Sequence, residues 1–273
     1  MPATELPLTD PRDLFSLNRI PFIVEAYGPP EGTFDPAGTW VQEYDYVSLG
    51  YWHLRTQGGL RIARRPVGNG SVSMRFDMHR VGRTGYSHYI VAEMEAHNDA
   101  LAVPKAWRME AKVALSGDDP PYLNSGMRKM GRIENASLIV NTGRDTKTTA
   151  LPGPCTCKWS LIDVVQRLPR EKTEKLRFSL IDEFDQVRHN QYITYRTTAV
   201  LPLKDAPTKL TAYEHLGEGV IPTVYWVDGK GRTLFVVTGV ETFVLKSSSG
   251  VPAVTGLDEI QGQPMAKLRA KEV

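Results

Sequence analysis

The chain is short of the features that fix a function at sight. It has 2 cysteines in 273 residues. Cys155 and Cys157 are too few to staple a domain of this length, so stability must come from the core. A structural zinc site needs four ligands, normally from two such pairs. Here neither a second cysteine pair nor a closely spaced histidine pair follows, so Cys155-Thr156-Cys157 reads as two thiols near the core. Charge of either sign is in little excess, with 33 Lys and Arg against 31 Asp and Glu. That excludes a general polyanion-binding field, and nucleic acid is not an expected partner. No apolar run approaches the roughly 18 residues of a membrane helix. The N-terminus lacks a basic stretch followed by an apolar one. A cytoplasmic location is therefore expected, or an extracytoplasmic one if the chain is a processed form. P-loop, dinucleotide, Gly-x-Ser-x-Gly and His-Glu-x-x-His patterns are all missing. Nucleotide cofactors and the common hydrolase machinery are unsupported, and neither cofactor nor metal is expected.

What the chain has in abundance is alternation. Val72, Met74, Phe76 and Met78 alternate with Ser73, Arg75, Asp77 and His79, as in a half-buried strand whose side chains switch faces with period two. Trp107, Met109, Ala111, Val113 and Leu115 do the same against Arg108, Glu110, Lys112 and Ala114. Further strands are predicted over 40–47, 51–55, 60–64, 86–97, 132–140, from 146, 176–181, 191–203 and 209–215, with 116–128 as a loop. Gly58-Gly59 and Gly68-Asn69-Gly70 mark turns. The strongest hairpin signal lies between His215 and Leu245. Two β-branched and aromatic runs flank Asp228-Gly229-Lys230-Gly231, and Asp-Gly admits the positive φ angles of a tight turn. No period of about 20–50 residues repeats, which excludes a solenoid or propeller.

The period changes once. Leu161, Val164, Val165 and Leu168 fall at i, i+3, i+4 and i+7, Ser160 stands as N-cap with Asp163 three residues on, and Pro169 closes the segment. That predicts a short amphipathic helix packed on a sheet. Residues 1–39 read as an arm strapped to the body, with a turn of helix near Asp13–Leu17. Residues 40–245 form the β domain, and 246–273 an extended strap or disordered tail. The predicted fold is mostly β: a single curved antiparallel sheet, half-barrel or barrel, with one short plug helix. A β-sandwich is the alternative.

Two motifs carry a family likeness. The helix Trp159-Ser160-Leu161-Ile162-Asp163-Val164-Val165-Gln166-Arg167-Leu168-Pro169 precedes strands ending in Pro222-Thr223-Val224-Tyr225-Trp226-Val227-Asp228-Gly229-Lys230-Gly231-Arg232-Thr233-Leu234. In segment order over residues 40–245 the chain resembles the half-barrel lipoprotein-carrier-like (LolA-like) superfamily, including its bacterial branches. It departs from that group in lacking a leader and a lipid-attachment cysteine near its start. The resemblance implies a curved sheet around a helical plug, and an amphiphile bound in the concavity.

The residues themselves leave three functions open. The first is a non-catalytic carrier of an apolar or amphiphilic ligand, such as a lipid, held by Tyr44, Tyr46, Tyr51, Trp52, Arg75, Trp107, Tyr225 and Trp226. The second is a cofactor-independent lyase, hydratase or isomerase. Its candidates are Glu93, Glu95 and His97, which alternation places with Tyr89 on one strand face, together with His215. That face could equally be a solvated outer surface. The third is a structural or assembly protein that oligomerises through its arm or tail. Arg61, Arg64, Arg65, Arg75, Arg80 and Arg83 form a basic cluster that could grip an anion or simply blunt strand edges. Gly217 and Gly219 around Glu218 suggest a close backbone approach or a bulge, with His215, Glu218, Tyr225 and Asp228 on one rim.

Overall fold

The computed structural model describes residues 17, 21–48, 56–81, 86–115, 126–170, 174–239 and 241–249. Their strands are β1 Trp40–Ser48, β2 Thr56–Gly68, β3 Ser71–Val81, β4 Tyr86–His97, β5 Pro104–Leu115, β6 Gly126–Glu134, β7 Ser137–Asn141, β8 Thr146–Ala150, β9 Cys155–Cys157, β10 Leu176–Asp182, β11 Gln186–Pro202, β12 Pro207–Leu216, β13 Thr223–Asp228, β14 Thr233–Thr238 and β15 Glu241–Ser249. Two short helices join them, α1 Pro21–Ala26 and α2 Leu161–Arg167, the second entered through a 3-10 turn at Lys158–Ser160.

All 15 strands belong to one sheet, in the order β8-β7-β6-β5-β4-β3-β2-β1-β15-β14-β13-β12-β11-β10-β9. That excludes the sandwich. Two antiparallel meanders meet where β1 pairs with β15, and β9 with β10 is the parallel exception. The two ends of the order are consecutive in the chain. Residues 151–154 alone carry it from β8 to β9, a step of at most about 17 Å. The sheet must therefore curl until its edges approach. It does not close by hydrogen bonds. Side chains complete the wrap instead. The β10–β11 tip reaches across, with Lys129 Nζ 2.6 Å from Asp185 Oδ2 and the rings of Phe76 and Phe184 6.4 Å apart.

α2 lies on the concave face. Its apolar stripe, Leu161, Val164 and Val165, is fully buried, and burial of such side chains is worth about 1.5–3 kcal/mol each. Two polar ties orient it. Asp163 Oδ1 meets Arg64 Nε of β2 at 2.7 Å, both side chains having no exposed surface. Gln166 Oε1 accepts from Gln42 Nε2 at 2.8 Å and from the Thr233 amide at 3.3 Å. On the opposite face of the sheet, the Tyr27 ring packs 4.9 Å from Phe235, the Tyr27 carbonyl accepts from the Lys204 amide, and Lys230 Nζ donates to the Gly32 carbonyl at 2.8 Å. The described part of the arm is strapped to its own sheet.

Local differences from the sequence reading have physical causes. Residues 132–140 are not one strand. β6 begins at Gly126, inside the predicted loop, and turns into β7 at Asn135-Ala136, both left-handed (φ 48° and 55°). Glu183-Phe184 turns β10 into β11 in the same way (φ 48° and 64°). Neither pair contains glycine, the usual sign of such a turn. Phe184 takes the strained conformation because its ring is buried, and packing outweighs the roughly 1–2 kcal/mol steric cost. At 228–231 the positive φ belongs to Gly231, not Gly229. The Asp228 carboxylate organises that loop by accepting from the amides of Lys230 and Arg232. Ser160 does not cap α2. Its hydroxyl faces Met94 Sδ, while Asp163 is taken by Arg64 and Arg167. A helix not expected from the sequence stands at Pro21–Ala26, while Asp13–Ser16 of the expected helical turn lie outside the described residues. Residues 246–249, assigned to the tail, continue β15. The predicted strand 51–55 and the residues from 250 onward lie outside the described residues.

Candidate ligand-binding cavity

Between α2 and the concave face of β10–β15 the structure holds a cavity of about 330 Å³. Its apolar wall comes from Leu60, Trp159, Ile162, Leu180, Val236 and Phe243. Trp159 meets Phe243 edge-on, their centroids 6.3 Å apart. The β12–β13 loop, Gly219–Ile221, forms one side. Its charged groups are few and paired. Asp182 sits between Lys158 Nζ at 3.2 Å and Arg188 Nε at 2.8 Å. Burial pushes the Asp182 carboxyl up, but hydrogen bonds and charge from Arg188 and Lys158 outweigh it and hold its pKa below the usual value. Lys158 moves the opposite way. Burial opposes its charge, yet Asp182 and Glu183 raise its pKa. At the other end Glu241 pairs with Arg80 at 2.7 Å, and Arg80 lies 4.7 Å over the Tyr46 ring.

His215 is a buried ionisable group of the wall, 3% exposed. Its Nε2 is 3.1 Å from Gln191 Oε1, and its ring stacks on Phe178 at 5.6 Å. Burial, with Lys158 adding repulsion, lowers its pKa to about 4; the Asp182 charge opposes this. The imidazole is therefore neutral near pH 7.

The structure separates the residues singled out above. Glu93, Glu95 and His97 lie on the outer face of β4, away from His215. Register sets Glu93 beside Arg75 of β3 and Arg108 of β5. Arg75 Nη1 is 2.9 Å from Glu93, Arg108 bonds its other oxygen at 2.6 Å, and Glu95 meets Lys105 at 3.4 Å. This is a ladder of cross-strand ion pairs, with Arg75 also bonded to Asp77. The same alternation divides the basic cluster: Arg64 and Arg80 point inward, Arg61 and Arg75 outward. Of the aromatic set, Tyr225 lines the cavity. Tyr46 is next to it, its ring 5.4 Å from Phe243. Tyr44 is buried, its hydroxyl bonded to Gln42 and to the Thr233 carbonyl. Trp107 covers Gly131 of β6, where a Cβ would come within 2.2 Å of its ring. Trp226 is opposite Phe235 beneath Tyr27. Tyr51 and Trp52 lie outside the described residues. Glu218 bonds Asn190 and Asp228 is committed to Arg232. Cys155 and Cys157 are buried free thiols, their pKa values pushed by burial up to about 11 and about 12.

Sequence reasoning missed Lys158, Asp182, Arg188, Gln191 and Glu241. None belongs to a motif. Lys158, Asp182, Arg188 and Glu241 stand at or near strand ends, and Gln191 at an irregularity within β11.

No protein-family model matches the chain, and no curated protein matches it by sequence. Among solved structures it is similar to a beta-barrel-like protein, a domain of unknown function DUF1849 from Brucella abortus. The TM-score is 0.53 at 10% identity, over 80% of this chain and 99% of that one. A duf1089 family protein from Pseudomonas aeruginosa covers 68% of this chain and 91% of its own at TM-score 0.35 and 14% identity. The first likeness agrees with the barrel-like sheet and speaks of fold alone. Neither structure is described as a lipoprotein carrier. Among the described residues no helix is long and apolar enough to cross a membrane, which says nothing of β-strands.

Proposed function

We propose that the protein is a non-catalytic binding or carrier protein for a small amphiphile held between α2 and the sheet. The observation that carries this reading is the cavity itself. It is about 330 Å³, walled by aliphatic and aromatic side chains and edged by a few ion pairs. Ligand sites have this form, apolar with a few placed polar groups. The resemblance to half-barrel carriers, where a concavity takes an amphiphile, supports the same reading. The enzymatic alternative has weaker support. A histidine with its pKa near 4 is a poor general base at neutral pH, and Glu93 and Glu95 are spent on outer-face ion pairs.

The test is uptake of a fluorescent fatty-acyl probe by delipidated protein. Saturation at one site per chain is expected. Val236→Trp, which fills the cavity from β14, should weaken uptake at least about tenfold, the scale of losing a few buried methylenes. Absence of saturable uptake, or uptake indifferent to Val236→Trp, contradicts the reading.

A further inference from the structure

The polar end of the ligand can be read from how His215 is held. Gln191 is 1% exposed and fixes its own orientation. One end of its amide is 2.5 Å from the His189 carbonyl and 3.0 Å from the Glu218 carbonyl. Both neighbours are acceptors, so that end is the NH2 group, and the oxygen faces His215 Nε2 at 3.1 Å. Nε2 must then carry the proton. A neutral imidazole has one N–H, which leaves Nδ1 as a bare acceptor. Nδ1 meets no donor among the described residues. The arrangement depends on Gly217, where a Cβ would stand 2.2 Å from Gln191 Oε1.

Tyr225 is diagonal to His215 across the β12–β13 pair and lines the same cavity. Its hydroxyl makes no side-chain or backbone hydrogen bond among the described residues. The cations of the cavity are different. Lys158 and Arg188 are neutralised by Asp182 and Glu183, and Arg80 by Glu241. A carboxylate or phosphate headgroup would have to displace one of these acids. The unmet need is for a donor at Nδ1, with an acceptor for the Tyr225 hydroxyl beside it.

We infer that the amphiphile ends in a neutral group that both donates and accepts a hydrogen bond, a hydroxyl or an N–H amide, received by His215 Nδ1. This rests on the cavity being a ligand site, as proposed above. A ligand without the donor leaves a buried acceptor unsatisfied, which costs roughly tenfold or more in affinity.

Displacement of the fluorescent acyl probe by dodecanol, methyl dodecanoate and dodecanoate tests this. Dodecanol should displace it at concentrations at least about tenfold below the ester, which only accepts, and the anion. His215→Phe should still bind the probe and lose the alcohol preference. If the ester or the carboxylate competes as well as the alcohol, or the preference survives His215→Phe, the inference falls while the carrier reading stands. If the probe does not bind wild-type protein, both fall. Should His215→Phe not fold, the alcohol-to-ester ratio in the wild type decides alone.

Discussion

Asp163→Asn is expected to lower the free energy of unfolding by about 3–5 kcal/mol at pH 7, read from urea denaturation. Asp163 has no exposed surface and is held by two guanidiniums, Arg64 at 2.7 Å and Arg167 at 2.5 Å. Arg64 is equally buried. Its Nη1 donates to the carbonyls of Ala37 and Gly38, and its Nη2 to Asn98. Burial pulls the Arg64 pKa down, and the Asp163 charge opposes that. The amide keeps the shape of Asp163 but leaves Arg64 as an uncompensated charge inside the protein. This asymmetry gives the control. Arg64→Met with Asp163→Leu removes both charges and should lose less than Asp163→Asn alone, because an absent ion pair costs less than half of one. A loss under about 0.5 kcal/mol for Asp163→Asn would mean that this pair does not hold the plug on the sheet.

The second large effect is one of pH. His215 has its pKa lowered to about 4 in the folded protein, against about 6.5 in the unfolded chain. Between these values the unfolded state binds a proton that the folded state refuses, so stability rises with pH. The contribution is fully present above about pH 6.5 and is lost as pH falls toward 4. It amounts to about 3 kcal/mol, from roughly 1.36 kcal/mol per pKa unit. His79, also lowered by burial, acts in the same direction. The depressed Asp182 carboxyl loses its contribution only below its own unfolded range. Comparing wild type with His215→Gln isolates the one group. The variant should show a slope smaller by about one proton between pH 4 and 6.5. Parallel stability curves would place an ordinary, solvated imidazole at 215.

The sheet was legible in the chain because alternation is a local signal. The β4 span, 86–97, coincides with the predicted one, and α2 lies within the predicted Ser160–Leu168 helix. Turns were less legible. Asn135-Ala136 and Glu183-Phe184 carry no glycine, and tertiary burial of Phe184 is not written in its neighbours. The cavity was legible only in part. Alternation gave the face of Glu93 but not whether that face looked in or out, which Arg75 and Arg108 settle by register. His215 and Tyr225 were singled out, and both line the wall. Gln191 reaches His215 from the neighbouring strand β11, a pairing that alternation alone does not reveal, and Lys158 and Asp182 come from segments farther off in the chain. Even Gly217 was read for half of its role. The close approach it permits is by the Gln191 side chain.

The most direct measurement is an NMR titration of isotope-labelled protein with dodecanol, following the tryptophan indole N–H signals. Trp159 lines the cavity, while Trp40, Trp107 and Trp226 are buried elsewhere. Occupation of the cavity predicts that the Trp159 signal and the His215 ring signals shift, saturating at one ligand per chain, while the indoles of Trp40, Trp107 and Trp226 stay in place. Shifts spread evenly over Trp40, Trp107, Trp159 and Trp226, or confined to the outer face around Arg75 and Glu93, would show that the space beneath α2 is not where the ligand goes.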